Sequence, residues 1–176
     1  TAKANAEQNL QNAKELFESY LQNVFSTKGD DWEEKTLGEV CDFFNGFAFK
    51  SKDSIDDSNT QVIRMGNLYQ NKLSLDRKPA FYPDAFIAEY SRYLIKENDL
   101  IISLTGTTGK EDYGYTVKIP KTDRNLLLNQ RIAKFIIKDE NVISKNFLFR
   151  FLLSRTFLDE LYKTANGTRQ ANLSTE

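Results

Sequence analysis

Leu100-Ile101-Ile102-Ser103-Leu104 runs into Thr105-Gly106-Thr107-Thr108-Gly109-Lys110, an apolar run followed by a loop of glycines and hydroxyls ending in an amine. Exposed amides, hydroxyls and an ammonium in one loop suit phosphate oxygens. A nucleotide-binding P-loop is excluded by spacing. It needs glycine five residues before Gly109, where Leu104 stands, and a magnesium-binding hydroxyl after Lys110, where Glu111 stands. Nuclease chemistry fares no better. Pro83-Asp84 and Glu89 are suggestive, but Ser91 occupies the place of the lysine two residues on, and Glu33-Glu34-Lys35 has no acid suitably far ahead. There is no Pro-Pro pair for an adenine-methyltransferase loop. The chain has no histidine, which removes His-based triads and His-metal sites. Its single cysteine, Cys41, allows no internal disulfide and no Cys-rich zinc site. The apolar context Leu37-Gly38-Glu39-Val40 marks that thiol as buried and inert. No catalytic residue, metal site or cofactor is expected.

The remaining polar motifs carry amides, hydroxyls and guanidinium groups. They are Arg64-Met65-Gly66-Asn67-Leu68, Leu128-Asn129-Gln130-Arg131 and Asn166-Gly167-Thr168-Arg169-Gln170-Ala171-Asn172-Leu173-Ser174. Asn and Gln pair bidentately with adenine and Arg with guanine in the major groove. Turns also use Asn, Gly and Thr, and Arg131 could equally sit in an ion pair. A further segment, Phe43-Phe44-Asn45-Gly46-Phe47-Ala48-Phe49-Lys50-Ser51-Lys52, puts four rings within seven residues. Asn-Gly favours a tight turn, because both residues tolerate positive φ. Phe43, Phe47 or Phe49 would pin that turn to a core and fix Lys50, Ser51 and Lys52 at the surface. The plain alternative is a hairpin over an aromatic cluster.

Positioning these groups falls to a modest set of elements. Residues 3–25 lack Gly and Pro and read as one helix. Leu10, Ala13, Phe17, Tyr20 and Val24 recur at spacings of three and four, a seam for another helix, with Leu16, Leu21 and Phe25 widening it. A helix of this length is marginal alone, so the seam meets either its own domain or a partner. Ser26-Thr27-Lys28-Gly29-Asp30-Asp31 is a polar boundary, and Trp32 anchors the body beyond it. Residues 51–61 read as loop. Strands are expected at 62–65, 93–95, 100–104, 115–119 and 131–137. In the last, Ile132, Lys134, Ile136 and Lys138 share one face, and Arg131, Ala133, Phe135 and Ile137 the other. Residues 146–163 are helical with Ser144 as N-cap and a break at Ser154-Arg155-Thr156. Phe147, Phe151, Leu158 and Leu161 should point inward. The tail 165–176 reads as loop. The expected fold class is α+β: a small mixed or antiparallel-sheet domain with C-terminal helices, preceded by one long N-terminal helix.

Net charge is −1 at pH 7, which does not by itself mark a nucleic-acid binder. Its distribution is uneven. Residues 1–34 hold three Lys and seven acids, whereas residues 35–176 hold twenty-one basic and eighteen acidic side chains. Between Lys110 and Lys138 seven basic residues face three acids. The acidic arm and the basic body should have different partners. No apolar run is long enough for a membrane span, and one free thiol fits a reducing, cytoplasmic setting.

Taken in order, the segments resemble the specificity subunit of type I restriction–modification enzymes. The matching pattern is Trp32-Glu33, Leu37-Gly38-Glu39-Val40, Asn45-Gly46-Phe47-Ala48-Phe49-Lys50-Ser51, Ile63-Arg64-Met65-Gly66-Asn67-Leu68, Asp99-Leu100-Ile101-Ile102-Ser103, Gly106-Thr107-Thr108-Gly109-Lys110, Asn129-Gln130-Arg131 and Gly167-Thr168-Arg169-Gln170-Ala171-Asn172-Leu173-Ser174. The resemblance implies a spacer helix over residues 1–28 and a target recognition domain over 29–176. Such subunits carry two recognition domains on two antiparallel spacer helices, and each domain reads half of a split site in double-stranded DNA. Methylation subunits flip and methylate an adenine, and a motor and nuclease subunit cuts unmodified DNA. The domain itself would do no chemistry. This chain holds one domain and one helix, and starts without Met. It therefore reads as a half-subunit or a fragment, paired through its helix with a second recognition domain or a second copy. The implied DNA contacts are Lys50, Ser51, Lys52, Arg64, Asn67, Thr107, Thr108, Lys110 and Arg169. The implied helix-partner face is Leu10, Ala13, Phe17, Tyr20 and Val24. The rival class is a protein–protein adaptor whose basic body docks an acidic partner.

Overall fold

Side-chain alternation along short strands, most of them largely buried, builds two sheets back to back. The computed structural model describes residues 2–27, 29, 32–107, 109–164 and 170–172. In chain order the elements are α1 (Ala2–Ser26), the one-turn α2 (Leu37–Val40), β1 (Cys41–Asn45), β2 (Thr60–Ile63), β3 (Phe81–Tyr82), the one-turn α3 (Phe86–Glu89), β4 (Leu94–Ile95), β5 (Leu100–Ser103), β6 (Thr105–Thr107), β7 (Thr116–Lys118), β8 (Asn125–Leu128), β9 (Ile132–Ile137), α4 (Lys145–Leu152), α5 (Arg155–Thr164) and β10 (Gln170–Asn172). The first sheet has the order β1-β9-β5-β7 and is antiparallel throughout. The second has the order β3-β2-β8-β4, with β2 and β8 parallel. β6 and β10 form a separate antiparallel ribbon.

Because neighbouring side chains point to opposite faces, each strand feeds two cores. Leu100 and Ile102 of β5, with Ala133 and Phe135 of β9, face Leu148 and Leu152 of α4 and Phe157 of α5. Ile101 and Ile132 face the other way, onto Ile63, Leu126 and Leu128 of the second sheet. Val62 and Leu127 line that sheet's far side, closed by Tyr82, Phe86, Tyr90 and Phe49. The layers are therefore helices, sheet, sheet and an aromatic cap. The α+β expectation holds, as does the assignment of Ile132 and of Ala133 and Phe135 to opposite faces of β9.

Several local expectations change. The aromatic run beginning at Phe43 starts as a strand: Phe43 and Phe44 lie in β1, opposite Phe135 and Lys134 of β9. Asn45-Gly46 is no two-residue hairpin, and neither residue takes a left-handed φ. Glycine is needed there for a different reason. A Cβ on Gly46 would overlap the backbone carbonyls of Leu128 and Asn129, which the chain crosses at close range. β8 is missing from the expected strands, yet it is central to the second sheet. Strand β2 ends at Ile63, two residues early, because Asn67 draws the chain into a turn.

Ser144 caps α4, its hydroxyl accepting from Phe147 N at 3.2 Å. The helix breaks at Ser154, whose hydroxyl donates to Phe151 O (2.6 Å) and accepts from Phe157 N (3.3 Å). Phe147 does not point into the core. It packs edge-on against Phe25 and Trp32, so it holds the arm and the start of the body. α1 docks by its C-terminal part alone. Leu21 is buried, Phe25 also meets Phe151, Gln22 accepts from the Thr156 hydroxyl, and Phe17 lies under the Arg150 guanidinium. Leu10, Leu16 and Tyr20 stand 58%, 73% and 66% exposed. Among the described residues no helix is long and apolar enough to cross a membrane.

Candidate nucleic-acid interface

Parallel pairing of β2 and β8 places Ile63 beside Leu128, so both strands release their chains at the same end of the sheet. β5 ends there too, because Ser103 pairs with Ile132 at the start of β9. Backbone bonds tie the departing loops together. Phe47 N donates to Leu128 O (2.9 Å), Gln130 N to Phe47 O (3.0 Å) and Leu104 N to Arg131 O (2.9 Å). The Thr105 hydroxyl donates to Met65 Sδ at 3.1 Å, joining β6 to the turn after β2. Ala171 of β10 pairs with Gly106. Four motifs far apart in sequence thus meet at one strand end: those around Arg64, Gly106, Arg131 and Gln170.

The candidate contacts are not equivalent. Arg64 is half-buried, and Lys110 and Arg131 are exposed; none of the three forms an ion pair among the described residues. Most of the basic run between Lys110 and Lys138 is engaged elsewhere. Lys118 donates to Asn146, Arg124 to Ser58 O, and Lys134 and Lys138 pair with Asp99 and Asp42. Arg131 and Gln130, absent from the residue-level expectation, are exposed at the strand end. The signal that could have found them is the position of Asn129-Gln130-Arg131 between two strands, visible only once β8 is known.

Asn67 turns inward. It is 1% exposed; Oδ1 accepts from Arg64 N (2.8 Å), and Nδ2 donates to Ser74 O (2.9 Å) and Arg77 O (2.8 Å). With both amide protons in use it clamps the turn and has none for a base. Thr107 is exposed but also committed. Its N–H and hydroxyl donate to the two oxygens of Asp112, at 2.6 and 2.7 Å. Burial pushes the Asp112 carboxyl up, but these bonds and nearby Lys110 outweigh it and hold the carboxyl below its ordinary value. The loop is thereby closed on itself, with Gly109 at φ +78° supplying a left-handed step before Lys110.

Lys50, Ser51 and Lys52 are exposed but stand apart. Tyr82 Oη donates to Lys50 O (3.3 Å), and the chain then pairs Ile55 with Phe81 on the β3 edge. Thr108 and Arg169 lie outside the described residues. Cys41 is buried, with its thiol pushed up to about 11 by burial first and by Asp42 second, as expected of an unreactive thiol. No group of three or more potential metal ligands occurs among the described residues.

Two stacked sheets that gather amide-, hydroxyl- and cation-bearing loops at one end are the geometry of a binding module. The family model for the type I restriction modification DNA specificity domain matches residues 29–176, and the chain belongs to that family. This family supplies the specificity component, not a catalytic one. The chain is 30% identical over 166 residues to the type I restriction enzyme MjaVIII specificity subunit of Methanocaldococcus jannaschii, covering 92% of this chain and 38% of that protein. It is 30% identical over 132 residues to the EcoAI specificity subunit of Escherichia coli, covering 75% of this chain and 22% of that one. The crystal structure of the type I restriction-modification S subunit from M. genitalium shares its fold, with a TM-score of 0.56 at 14% identity over 84% of this chain and 33% of that one. The chain therefore spans well under half the length of these relatives.

Proposed function

We propose that this chain reads one half of a split target in duplex DNA and directs adenine methylation and cleavage by partner subunits, doing no chemistry itself. The supporting observation is the strand-end meeting of the segments that carry Arg64, Lys110 and Arg131, three cations that form no ion pair among the described residues, beside the amide and hydroxyl loops at Asn129, Gln130 and Thr105. Phosphate contacts by such cations set position and base edges set sequence. A wrong base leaves an amide or guanidinium desolvated and unpaired, which costs ~1–3 kcal/mol per base pair. Residues 29–176 act as the recognition domain and residues 1–28 as part of a spacer helix. The exposed Leu10, Ala13 and Tyr20 meet a second spacer helix, from another recognition domain or another copy, or a methylation subunit. Lys50, Ser51 and Lys52 extend the footprint along the β3 edge.

The test has two arms. Adenine methylation of host DNA is mapped with and without the gene, and loss of methylation at one split motif on deletion is the expected result. Binding of the chain to duplexes carrying that motif is then compared with scrambled duplexes from 50 to 200 mM salt. Specific binding that survives competitor is expected. Weak, sequence-blind binding together with an unchanged methylation map would favour a protein–protein adaptor instead.

A further inference from the structure

The turn after β2 carries an arrangement that the strand-end cluster does not account for. Tyr69 stands 45% exposed, and the guanidinium carbon of Arg77 lies 4.0 Å from its ring centroid. The ring leans edge-on against Tyr115, centroids 6.0 Å apart. Tyr115 also connects this pair to the Lys110 loop. Its phenol is pushed up by burial first, then by Tyr69 and Asp112, and drawn down by Arg77, so these groups lie within electrostatic reach of one another. Asp112 is bonded by Thr107 and Glu111 by Arg155 at 3.0 Å, while Asp76, next to Arg77 in the chain, is exposed and forms no ion pair among the described residues. Arg77 is exposed and forms no ion pair among the described residues.

The backbone here is strained. Gln70, Asn71 and Lys78 take φ of 53°, 59° and 49°, three of the four left-handed non-glycine residues described. Asn67 holds both ends of the turn, and Asn71 Oδ1 accepts from Thr116 N at 2.9 Å to fix the middle. Strain held by this many bonds is found where the placement of a side chain matters. Tyr69 covers one side of the guanidinium, whose N–H groups make no hydrogen bond among the described residues. A planar guanidinium matches O6 and N7 of guanine with two parallel N–H bonds, a fixed geometry that the flexible point charge of a lysine ammonium reproduces less well.

We propose that Arg77, oriented by Tyr69, is a specificity-determining residue that reads a guanine edge in the major groove. This rests on the DNA-reading function proposed above. The experiment selects duplexes from a pool with a randomised core, using the chain and its R77K, R77A, Y69F and Y69A variants, and sequences the bound fraction. Affinity for one fixed mixed-sequence duplex is measured in parallel across salt. The wild-type chain should enrich a motif containing a G·C pair. R77K should lose about tenfold of the preference at that pair and keep the rest of the motif, with affinity for the fixed duplex changed less than about twofold. Y69A should weaken the same position, and Y69F should retain it. Asn67 bonds the Arg77 carbonyl and not its side chain, so the variants keep the clamp, and unchanged melting temperatures check this. If R77K and Y69A enrich the wild-type motif at full strength everywhere, Arg77 is a surface cation and the assignment is wrong. If the wild-type chain enriches no motif, the DNA-reading function fails and takes this assignment with it.

Discussion

Asn67 and Tyr162 show how much polar chemistry serves the fold itself. Asn67 has the residue type of a base reader, yet its three hydrogen bonds run to the chain around it. Removing it leaves the Arg64 N–H and the Arg77 carbonyl without this partner, and the Ser74 carbonyl with only the Arg77 N–H at 3.4 Å. N67A should lower the unfolding free energy by ~2–4 kcal/mol in urea titration. N67D should cost more, since a carboxylate would face the Ser74 and Arg77 carbonyls that the amide now serves. Tyr162 donates to Tyr113 O at 3.3 Å, and burial first, Glu111 second, push its phenol up to about 12. A raised folded value favours the neutral form, so this stabilisation is complete below the unfolded phenol's ~10. It drains away as pH rises from there to about 12. Denaturation across that range should show a smaller alkaline loss of stability in Y162F than in the wild-type chain, and the phenol absorbance change near pH 12 should shrink in Y162F.

At the scale of elements, α1 is two things in one helix. Its last two turns are bound to α4 and α5 through Leu21, Phe25 and the Gln22–Thr156 bond, while residues 2–13 are exposed. Deleting residues 2–14 should change the stability of the body by less than ~0.5 kcal/mol, whereas F25A should cost ~2 kcal/mol. Thermal and denaturant melts of the two variants check this. That helix is legible in the sequence because its apolar spacing persists over many turns, and the α4–α5 break because Ser154 can cap the second helix. β8 is not. Leu126, Leu127 and Leu128 are all buried, on both faces of the sheet, so no alternation marks them as a strand. β6 and β10 have three residues each, too short for any period. The role of Gly46 depends on carbonyls more than eighty positions away, which no local pattern contains. The motifs of the candidate interface are legible singly. Their meeting is not, because it depends on the parallel pairing of β2 with β8.

For the molecule as a whole, net charge is a poor guide and local field a better one. A chain at −1 overall binds a polyanion only if its cations are grouped where acids are neutralised. Glu111 and Asp112 sit beside the proposed interface; Arg155 pairs with Glu111, whereas the Thr107 donors keep Asp112 ionised near Lys110. On the proposed reading, Arg64 and Arg131 meet incoming phosphates without an ion-pair partner among the described residues, and Lys110 does so in the field of Asp112. Each phosphate neutralised releases counterions and adds ~0.9 to the magnitude of the slope of log affinity against log salt. The double variant K110A/R131A should flatten that slope by about two on any duplex, matched or scrambled, because phosphate contacts carry no sequence. K50A/K52A, on the β3 edge, should flatten it by less than one if the duplex lies mainly across the strand end. Equal flattening by both pairs would mean that the bound DNA runs from the strand end along the β3 edge. An unchanged slope for K110A/R131A would move the interface away from the strand end altogether.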